Sequence, residues 1–260
     1  IMPSLVGSEM CIRDSSLATR ISGRIRRRYP KKYFPRKEKG SVQHVFSVDQ
    51  LDFSEGNWLV MSQAHYQTNP VAEHLKGGGY FFERSGYPSV PAKISSALLA
   101  WQKLQKDDLV NLEEAKILYG FMRGNGVRVQ RGFKTIRAEE GTFFSLEQLQ
   151  KQYGLLATAD MPWDAALDKL PDVDKVYCAA ILRRGEDLTD IPRIRLSTIH
   201  GAKGGESSNV VLFTDLTAAA EDAALYAPDI LHRVFYVAVT RAKQNLFIVQ
   251  PHLYQRSYQL

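Results

Sequence analysis

The chain has 260 residues, of which 44% are hydrophobic and 24% are charged, which is typical of a globular protein with a sizeable core. No apolar run approaches the roughly 20 residues that a membrane-spanning helix needs, so we expect no transmembrane segment and no membrane partner. Two cysteines, Cys11 and Cys178, are too few for a disulfide framework and favour a reducing compartment, and the net charge of +6 favours an acidic partner.

The first 15 residues have no sustained hydrophobic period and lead into no predicted element. Residues 4–15 resemble read-through of a sequencing adaptor, so we expect residues 1–15 to be non-native or a disordered leader. An ordinary flexible N-terminus is the alternative.

The segment from Arg20 to Lys39 is strongly basic. It contains ten basic residues and one acid, Glu38, so it carries a net charge of +9 while the rest of the chain carries −3. The default explanation of such a run is a solvated surface. Contact with phosphates is the alternative, because Tyr29, Tyr33 and Phe34 are interleaved with the charges and can stack on bases.

The pattern over residues 16–106 predicts alternating helices and strands. We expect a helix over 17–28, strands over 42–48, 58–61 and 80–82, and two helices that begin at Asn69 and at Pro91. Asn69 is expected to cap its helix, with Pro70 in the first turn. This order of elements indicates a doubly wound parallel sheet.

The pattern changes between Asp107 and Asp190, where helical periods recur with little strand signal. Glycine and proline separate these segments, so the sequence predicts a small all-helical insertion. The predicted helices cover residues 112–122, 146–153, 163–170 and 173–182.

Strand character resumes at Ile194 and runs into a glycine-rich turn at Gly201, Gly204 and Gly205. Such a turn lets backbone N–H groups approach phosphates without a Cβ in the way. His200 and Lys203 add donors there, and Glu206 adds an acceptor suited to sugar hydroxyls.

Two further buried strands are predicted over 210–213 and 246–249. The helix between them has Pro228 in its first turn, and Ile230, Val234, Val237 and Arg241 fall on one stripe. Arg241 is therefore expected at the end of a helix whose apolar face packs against the sheet.

The two stretches around the glycine-rich turn and Arg241 resemble motifs V and VI of superfamily 1 DNA helicases of the UvrD/Rep type. The pattern T-I-H-x-A-K-G-x-E matches residues 198–206, and F-Y-V-A-x-T-R-A-K matches residues 235–243. The sequence that begins at Pro192, P-R-I-R-L-S-T-I-H-G-A-K-G-G-E, is similar to what we expect of phage-like or environmental members of this family.

This resemblance implies an α/β fold, the RecA-like second motor domain, split into residues 16–106 and 191–260 by the helical insertion at 107–190. It implies that Arg241 is the catalytic arginine finger and that Gly204, Glu206 and Arg241 bind ATP. It also implies contacts with single-stranded DNA from three residues of the turn: Thr198, His200 and Lys203. Gly205 departs from the family pattern, which has leucine there.

The chain lacks the P-loop that such a motor needs, because no Gly-Lys dipeptide occurs in it. The resemblance implies that a missing N-terminal RecA-like domain, expected upstream of Ser16, supplies the P-loop, the motif IV arginine and the Mg²⁺ ligands for ATP. The expected function is thus the C-terminal motor half of a cytoplasmic ATP-dependent DNA helicase of repair or replication, inactive without that domain. A non-catalytic DNA-binding or regulatory module is the alternative, and a helicase–nuclease would need a nuclease domain that is not visible here.

Overall fold

The structure is a computed structural model that describes the backbone of residues 9–10, 12–28, 34–35, 40–202 and 204–260, and the side chains of 16–28, 40–202 and 204–260. The described parts of the chain form two compact units, residues 1–87 with 191–260, and residues 88–190.

The elements of the described chain are numbered in chain order. The strands are β1 (Glu9–Met10), β2 (Phe34–Pro35), β3 (Ser41–Val45), β4 (Trp58–Ser62), β5 (Phe82–Arg84), β6 (Tyr87–Pro88), β7 (Val110–Asn111), β8 (Phe143–Phe144), β9 (Ile194–Thr198), β10 (Ser207–Phe213) and β11 (Ala242–Val249). The helices are α1 (Ile12–Gly23), α2 (Asn69–Gly77), α3 (Ala92–Gln105), α4 (Leu112–Gly120), α5 (Leu146–Gln152), α6 (Trp163–Ala166), α7 (Asp172–Arg183), α8 (Ala218–Tyr226) and α9 (Pro228–Val239). Short 3₁₀ turns cover Val48–Gln50, His65–Thr68 and Tyr254–Arg256.

The first unit is built on a seven-stranded sheet in the order β3-β11-β10-β4-β9-β5-β6. The strands from β3 to β5 pair in parallel, and Val211 at the centre lies between Val60 and Phe247. The four strands predicted over 58–61, 194–199, 210–213 and 246–249 occupy adjacent positions. The predicted α/β fold with a mostly parallel, helix-flanked sheet is confirmed, and it is consistent with a RecA-like domain.

Helices α1 and α9 cover one face of this sheet. Leu17 and Ile21 of α1 join Phe235 and Val239 of α9 in one buried hydrophobic cluster with the strand residues of that face. Tyr258, close to the end of the chain, stacks on Phe235 with ring centroids 4.1 Å apart and an angle of 2° between the rings. Leu17, Ile21 and Ile25 are all buried, as predicted, but the helix covers Ile12–Gly23 rather than 17–28, so Ile25 lies in the segment that follows it.

Successive strand residues point to opposite sides of a sheet, so the strands also present apolar side chains on the opposite face. Aromatic rings and α2 cover that face. Trp58 packs on Phe53 at 4.6 Å and stacks on Phe247 at 5.4 Å between ring centroids. Val71 and Leu75 are the buried residues of α2 that lie one turn apart.

The predicted buried stripe of α9 is only partly confirmed. Val234 is partly buried against the hydrophobic cluster, but Ile230 is 56% exposed, and the fully buried residues are Phe235, Ala238 and Val239. The helix carries two overlapping apolar stripes, and the one with the phenylalanine ring faces the sheet because it removes more apolar area from water.

The predicted cap of α2 is also wrong. The N-cap residue is Thr68, and the Asn69 Oδ1 atom instead accepts a hydrogen bond of 2.7 Å from Nη2 of Arg84. Pro70 does lie in the first turn of the helix, as expected.

The second unit contains α3 to α7 and an antiparallel pairing of β7 with β8. Its core includes Trp101, whose indole Nε1 donates to the Met161 carbonyl oxygen at 3.0 Å, and Tyr119, whose hydroxyl donates to the Tyr153 carbonyl oxygen at 3.1 Å. Burial raises the pKa of Tyr119 well above its ordinary value of 10.0, so the hydroxyl remains a donor. Helix α3 lies in this unit, whereas the sequence analysis began the insertion at residue 107, and the domain assignment stays a prediction.

In the part of the chain that the structure describes, no helix is long and apolar enough to cross a membrane.

Candidate functional site

The carboxyl end of β9 leads directly into the glycine-rich turn. Ile194 and Leu196 are buried, and Ile199 is fixed by a hydrogen bond of 2.8 Å from its backbone N–H to the Ser62 carbonyl oxygen at the end of β4. Ligands of open parallel sheets bind beyond the carboxyl ends of the strands. Thr198 and the first residues of the turn therefore lie where such a sheet presents its binding residues, and the chain then returns to the amino end of β10 at Ser207.

Thr198 holds the turn in shape. Its Oγ1 accepts a hydrogen bond of 3.0 Å from the Gly201 N–H, and its carbonyl oxygen accepts one of 2.9 Å from the Ala202 N–H. Ala202 is buried in the same hydrophobic cluster as α1 and α9. Among the described residues only the oxygen of the Thr198 hydroxyl is engaged, as an acceptor, so the hydroxyl can still donate to a ligand.

Two glycines of the turn have different surroundings. A Cβ on Gly201 would lie 2.8 Å from Oγ of Ser197, which is closer than real Cβ contacts. Gly204 has φ +88°, and a Cβ there would meet no atom within 4 Å. The backbone at Gly204 is thus in a conformation that favours glycine and faces open space, as a close approach to a ligand requires.

The other two donors predicted in this turn are His200 and Lys203. His200 is exposed at the tip of the turn. Lys203 lies outside the described residues, so its predicted DNA contact stays a prediction.

Arg241 follows the last turn of α9 and is joined to the end of the glycine-rich turn. Its Nε donates to the Val237 carbonyl oxygen at 3.1 Å, and its Nη1 lies 3.5 Å from the Gly205 carbonyl oxygen. The Ser207 backbone N–H also donates to the Arg241 carbonyl oxygen at 3.1 Å. The structure therefore brings the two motif-like stretches together at the start of β10 and β11.

Glu206 lies between cationic side chains. Its Oε2 is 4.0 Å from Nζ of Lys243, and its carbonyl oxygen accepts a hydrogen bond of 3.3 Å from Nη2 of Arg195. With Arg241, three cations thus lie around the Gly205–Glu206 segment, and two carboxylates lie close to them: that of Glu206 and that of Glu83, which pairs in register with Arg195. Among these described residues the cations exceed the carboxylates by one, a balance that is compatible with an anionic ligand.

Arg195 was not singled out by the sequence analysis. It lies on β9 between two buried apolar residues and pairs in register with Leu59 of β4 and Glu83 of β5. The signal in the sequence is the alternation itself, because a charge between Ile194 and Leu196 has to point away from the buried side of the strand.

A pocket of about 480 Å³ opens next to the turn. Its polar lining includes Arg195, Ser197, Thr198, His65 and Ser85. The Ser85 hydroxyl lies 3.1 Å from Nδ1 of His65, at the ends of β5 and β4. These two residues, which the sequence analysis did not propose as site residues, border the same pocket as Thr198.

Ser207, the first residue of β10, carries an unsatisfied buried group. Its side chain is only 3% exposed, and its Oγ has no hydrogen-bond partner among the described residues. Nothing in the sequence distinguishes this serine from an ordinary strand residue.

The donors and acceptors present fit one side of a nucleotide. Glu206 offers acceptors for sugar hydroxyls, Gly204 leaves room for close approach, and Arg241 and Arg195 offer guanidinium groups for phosphate. In the residues that the structure covers, no group of three or more His, Cys, Asp or Glu side chains is placed to hold a metal ion.

Comparison with known families agrees with this geometry. The model of the UvrD-like helicase C-terminal domain matches residues 193–249, from the residue before β9 to the end of β11. Over these residues the chain is thus similar to the C-terminal domain of UvrD-like helicases of superfamily 1. No curated protein matches the chain. The phage-like or environmental origin has no support from these comparisons.

Proposed function

We propose that this chain is the C-terminal motor domain of an ATP-dependent DNA helicase that couples ATP hydrolysis to movement along single-stranded DNA. The observation that carries the proposal is the junction of Arg241 with the glycine-rich turn, through the Ser207 N–H to Arg241 carbonyl bond and the approach of Nη1 to Gly205. Through this junction, the residues proposed to bind ATP are connected to the residues proposed to bind the DNA strand, which lie a few positions away in the same turn.

On the nucleotide side, Arg241 acts as the arginine finger. Its planar guanidinium stabilises the charge that develops on the γ-phosphate in the transition state. Glu206 accepts hydrogen bonds from the ribose hydroxyls, and Gly204 allows the backbone to come close to the nucleotide. Nζ of Lys243 lies 4.0 Å from the Glu206 carboxylate, on the same side of the turn.

On the strand side, Thr198, His200 and Lys203 contact the sugar–phosphate backbone. The Thr198 oxygen accepts the Gly201 N–H, so a shift of the strand at this hydroxyl is transmitted to the turn that ends at Glu206. Backbone contacts of this kind bind without regard to sequence and weaken as salt rises.

The remaining parts of the ATP site come from another domain. No P-loop sequence occurs in the chain. In this proposal an N-terminal RecA-like partner domain holds the phosphates and Mg²⁺. Both domains then act in the cytoplasm. An arginine finger without that domain has no phosphate to act on, so the chain alone does not hydrolyse ATP.

The alternative is a DNA-binding or regulatory module that keeps the fold without hydrolysis; the absence of a P-loop in this sequence is the observation in its favour. Steady-state ATPase assays separate the two. The chain alone, with or without single-stranded DNA, should be inactive, and addition of the P-loop domain should give DNA-stimulated hydrolysis. Hydrolysis that is absent in the complete protein, with DNA binding retained, would establish the alternative.

A further inference from the structure

The arginines at the end of α1 divide into two groups by their contacts. Two of them hold the chain in place: Arg24 donates to the Gln259 carbonyl oxygen and lies over the Tyr258 ring, and Arg28 donates to Ser22 Oγ at 3.1 Å. The backbone of the same segment is held from α9, where Arg233 donates to the Arg27 carbonyl oxygen at 3.0 Å.

The other three side chains, Arg20, Arg26 and Arg27, are exposed and make no hydrogen bond or ion pair with any described residue. We call these three residues the arginine face. They lie within eight residues of chain, so their Cα atoms are at most ~25 Å apart. That distance is the span of a few nucleotides of extended backbone.

One carboxylate organises this segment without neutralising the arginine face. The two oxygens of Asp229 accept the backbone N–H groups of Arg26 at 3.1 Å and of Arg27 at 3.2 Å. The side chain of Asp229 pairs with Arg233 at 3.7 Å. Its charge thus acts mainly on the backbone and on an arginine of α9, with a weaker attraction to the Arg26 charge, while the side chains of Arg26 and Arg27 are exposed.

The apolar residues of the same segment face inward. Ile21 and Ile25 are buried, with exposures of 0% and 7%. Over residues 20–28, the part of this segment that the structure describes, charge is therefore presented without an apolar side chain that could insert into a lipid surface, and insertion is what a membrane-binding segment needs. Dense charge on a fixed backbone instead suits a polyanion with regularly spaced phosphates.

We propose that the arginine face is a second nucleic-acid contact of this chain, which binds the phosphate backbone of single-stranded DNA. It is formed by α1 and the turn after it, and it uses none of the residues proposed above to bind the strand beyond β9. Its binding does not depend on ATP hydrolysis, so it can be tested on the chain by itself.

The test replaces Arg20, Arg26 and Arg27 by glutamine together, which keeps the backbone N–H groups that Asp229 accepts. The control removes the same charge from Lys93, Arg131 and Arg137, which are exposed and have no partner among the described residues. Affinity for a labelled oligothymidine is measured by anisotropy over a series of salt concentrations, and circular dichroism melts check that both variants fold.

We expect the triple glutamine variant to lose at least about tenfold in affinity at low salt and the slope of log K against log salt to fall by about 2, since each phosphate contact on a single strand contributes ~0.7. The control variant should change affinity by less than about threefold. Equal slopes and affinities for the two variants would overturn the proposal. Binding to vesicles of anionic lipid is measured in parallel, and a loss of affinity that appears with the vesicles but not with oligothymidine would overturn it as well.

A third variant, His200→Ala with Lys203→Ala, separates this inference from the proposed function. If the double alanine variant loses affinity for single-stranded DNA and the arginine-face variant does not, only the second contact is overturned. If the arginine-face variant loses affinity and the double alanine variant does not, the second contact is supported and the strand-binding role of the turn is contradicted.

Discussion

The Nη1 atom of Arg241 lies 3.5 Å from the carbonyl oxygen of Gly205, across the start of two neighbouring strands of the sheet. The guanidinium is anchored at its other edge by the Val237 carbonyl oxygen. The arginine is therefore held by its own helix and aimed along the glycine-rich turn, with part of its planar donor set left for a ligand.

Replacing Gly201 should destabilise the turn after β9. Gly201→Ala places a Cβ 2.8 Å from Ser197 Oγ, so we expect a loss of about 1–3 kcal/mol in the free energy of unfolding. Urea denaturation measures it. The matched double variant Ser197→Ala with Gly201→Ala removes the clashing oxygen and should recover part of the loss. If Gly201→Ala costs the same in both backgrounds, the contact with Ser197 is not the cause.

Stability should fall in mild acid through His232. Its Nδ1 lies 2.9 Å from the Tyr258 hydroxyl, and burial, followed by the nearby charge of Arg24, lowers the pKa of His232 below its ordinary value of 6.5. Asp229 acts in the opposite direction more weakly. The unfolded chain then binds the proton more readily than the folded chain, so this contribution is complete above pH 6.5 and is lost as the pH falls through the folded-state pKa.

The measurement is the free energy of unfolding between pH 5 and 8 for the wild type and for His232→Gln. The wild type should lose more stability on acidification than the variant, because only the wild type must protonate this ring on unfolding. Parallel curves would show that the titration of His232 makes no difference to folding.

Removing the buried hydroxyl of Ser207 should not destabilise the fold. Its Oγ has no partner among the described residues, and a buried unsatisfied polar group costs ~1–3 kcal/mol. We expect Ser207→Ala to be neutral or to raise the free energy of unfolding by up to about 1 kcal/mol. Thermal melts provide the measurement, and a clear loss of stability would mean that the hydroxyl has a partner that this account does not include.

His200 and Lys203 should contribute to DNA binding equally for all sequences. Lys203→Ala and His200→Ala should each weaken binding of several unrelated single strands by a similar factor, because their contacts are with the backbone. Titrations at low and high salt measure this effect. A base preference that persists at high salt would contradict a backbone contact.

Much of the sheet could be predicted because its central strands are continuous apolar runs, which signal burial on both faces. Val210, Val211 and Leu212 are fully buried, as their run predicts. Local patterns could not decide between the two apolar stripes of α9, because the choice depends on Tyr258, which stacks on Phe235 from 23 positions further along the chain.

The motif residues of the site could be located from their spacing, but their neighbours could not. Arg195 and Ser85 reach the pocket beside Thr198 through strand register and a tight turn, and both are set by tertiary pairing. Ser85 has φ +54°, which is rare for a residue other than glycine and gives no signal in the sequence.

The role of Arg241 in hydrolysis tests the central claim most directly. In the complete protein, with its P-loop domain, single-turnover ATP hydrolysis on single-stranded DNA is measured together with nucleotide affinity for Arg241→Ala, Arg241→Lys and the control Arg137→Ala. We expect Arg241→Ala to slow hydrolysis by roughly 10³-fold or more with ATP affinity largely unchanged, because the contact matters as charge develops on the phosphate. Arg241→Lys should recover little, since a point charge cannot replace the planar fork, and Arg137→Ala should behave as the wild type. Near-normal hydrolysis by Arg241→Ala would contradict the account and leave Arg241 as a residue that only ties α9 to the glycine-rich turn.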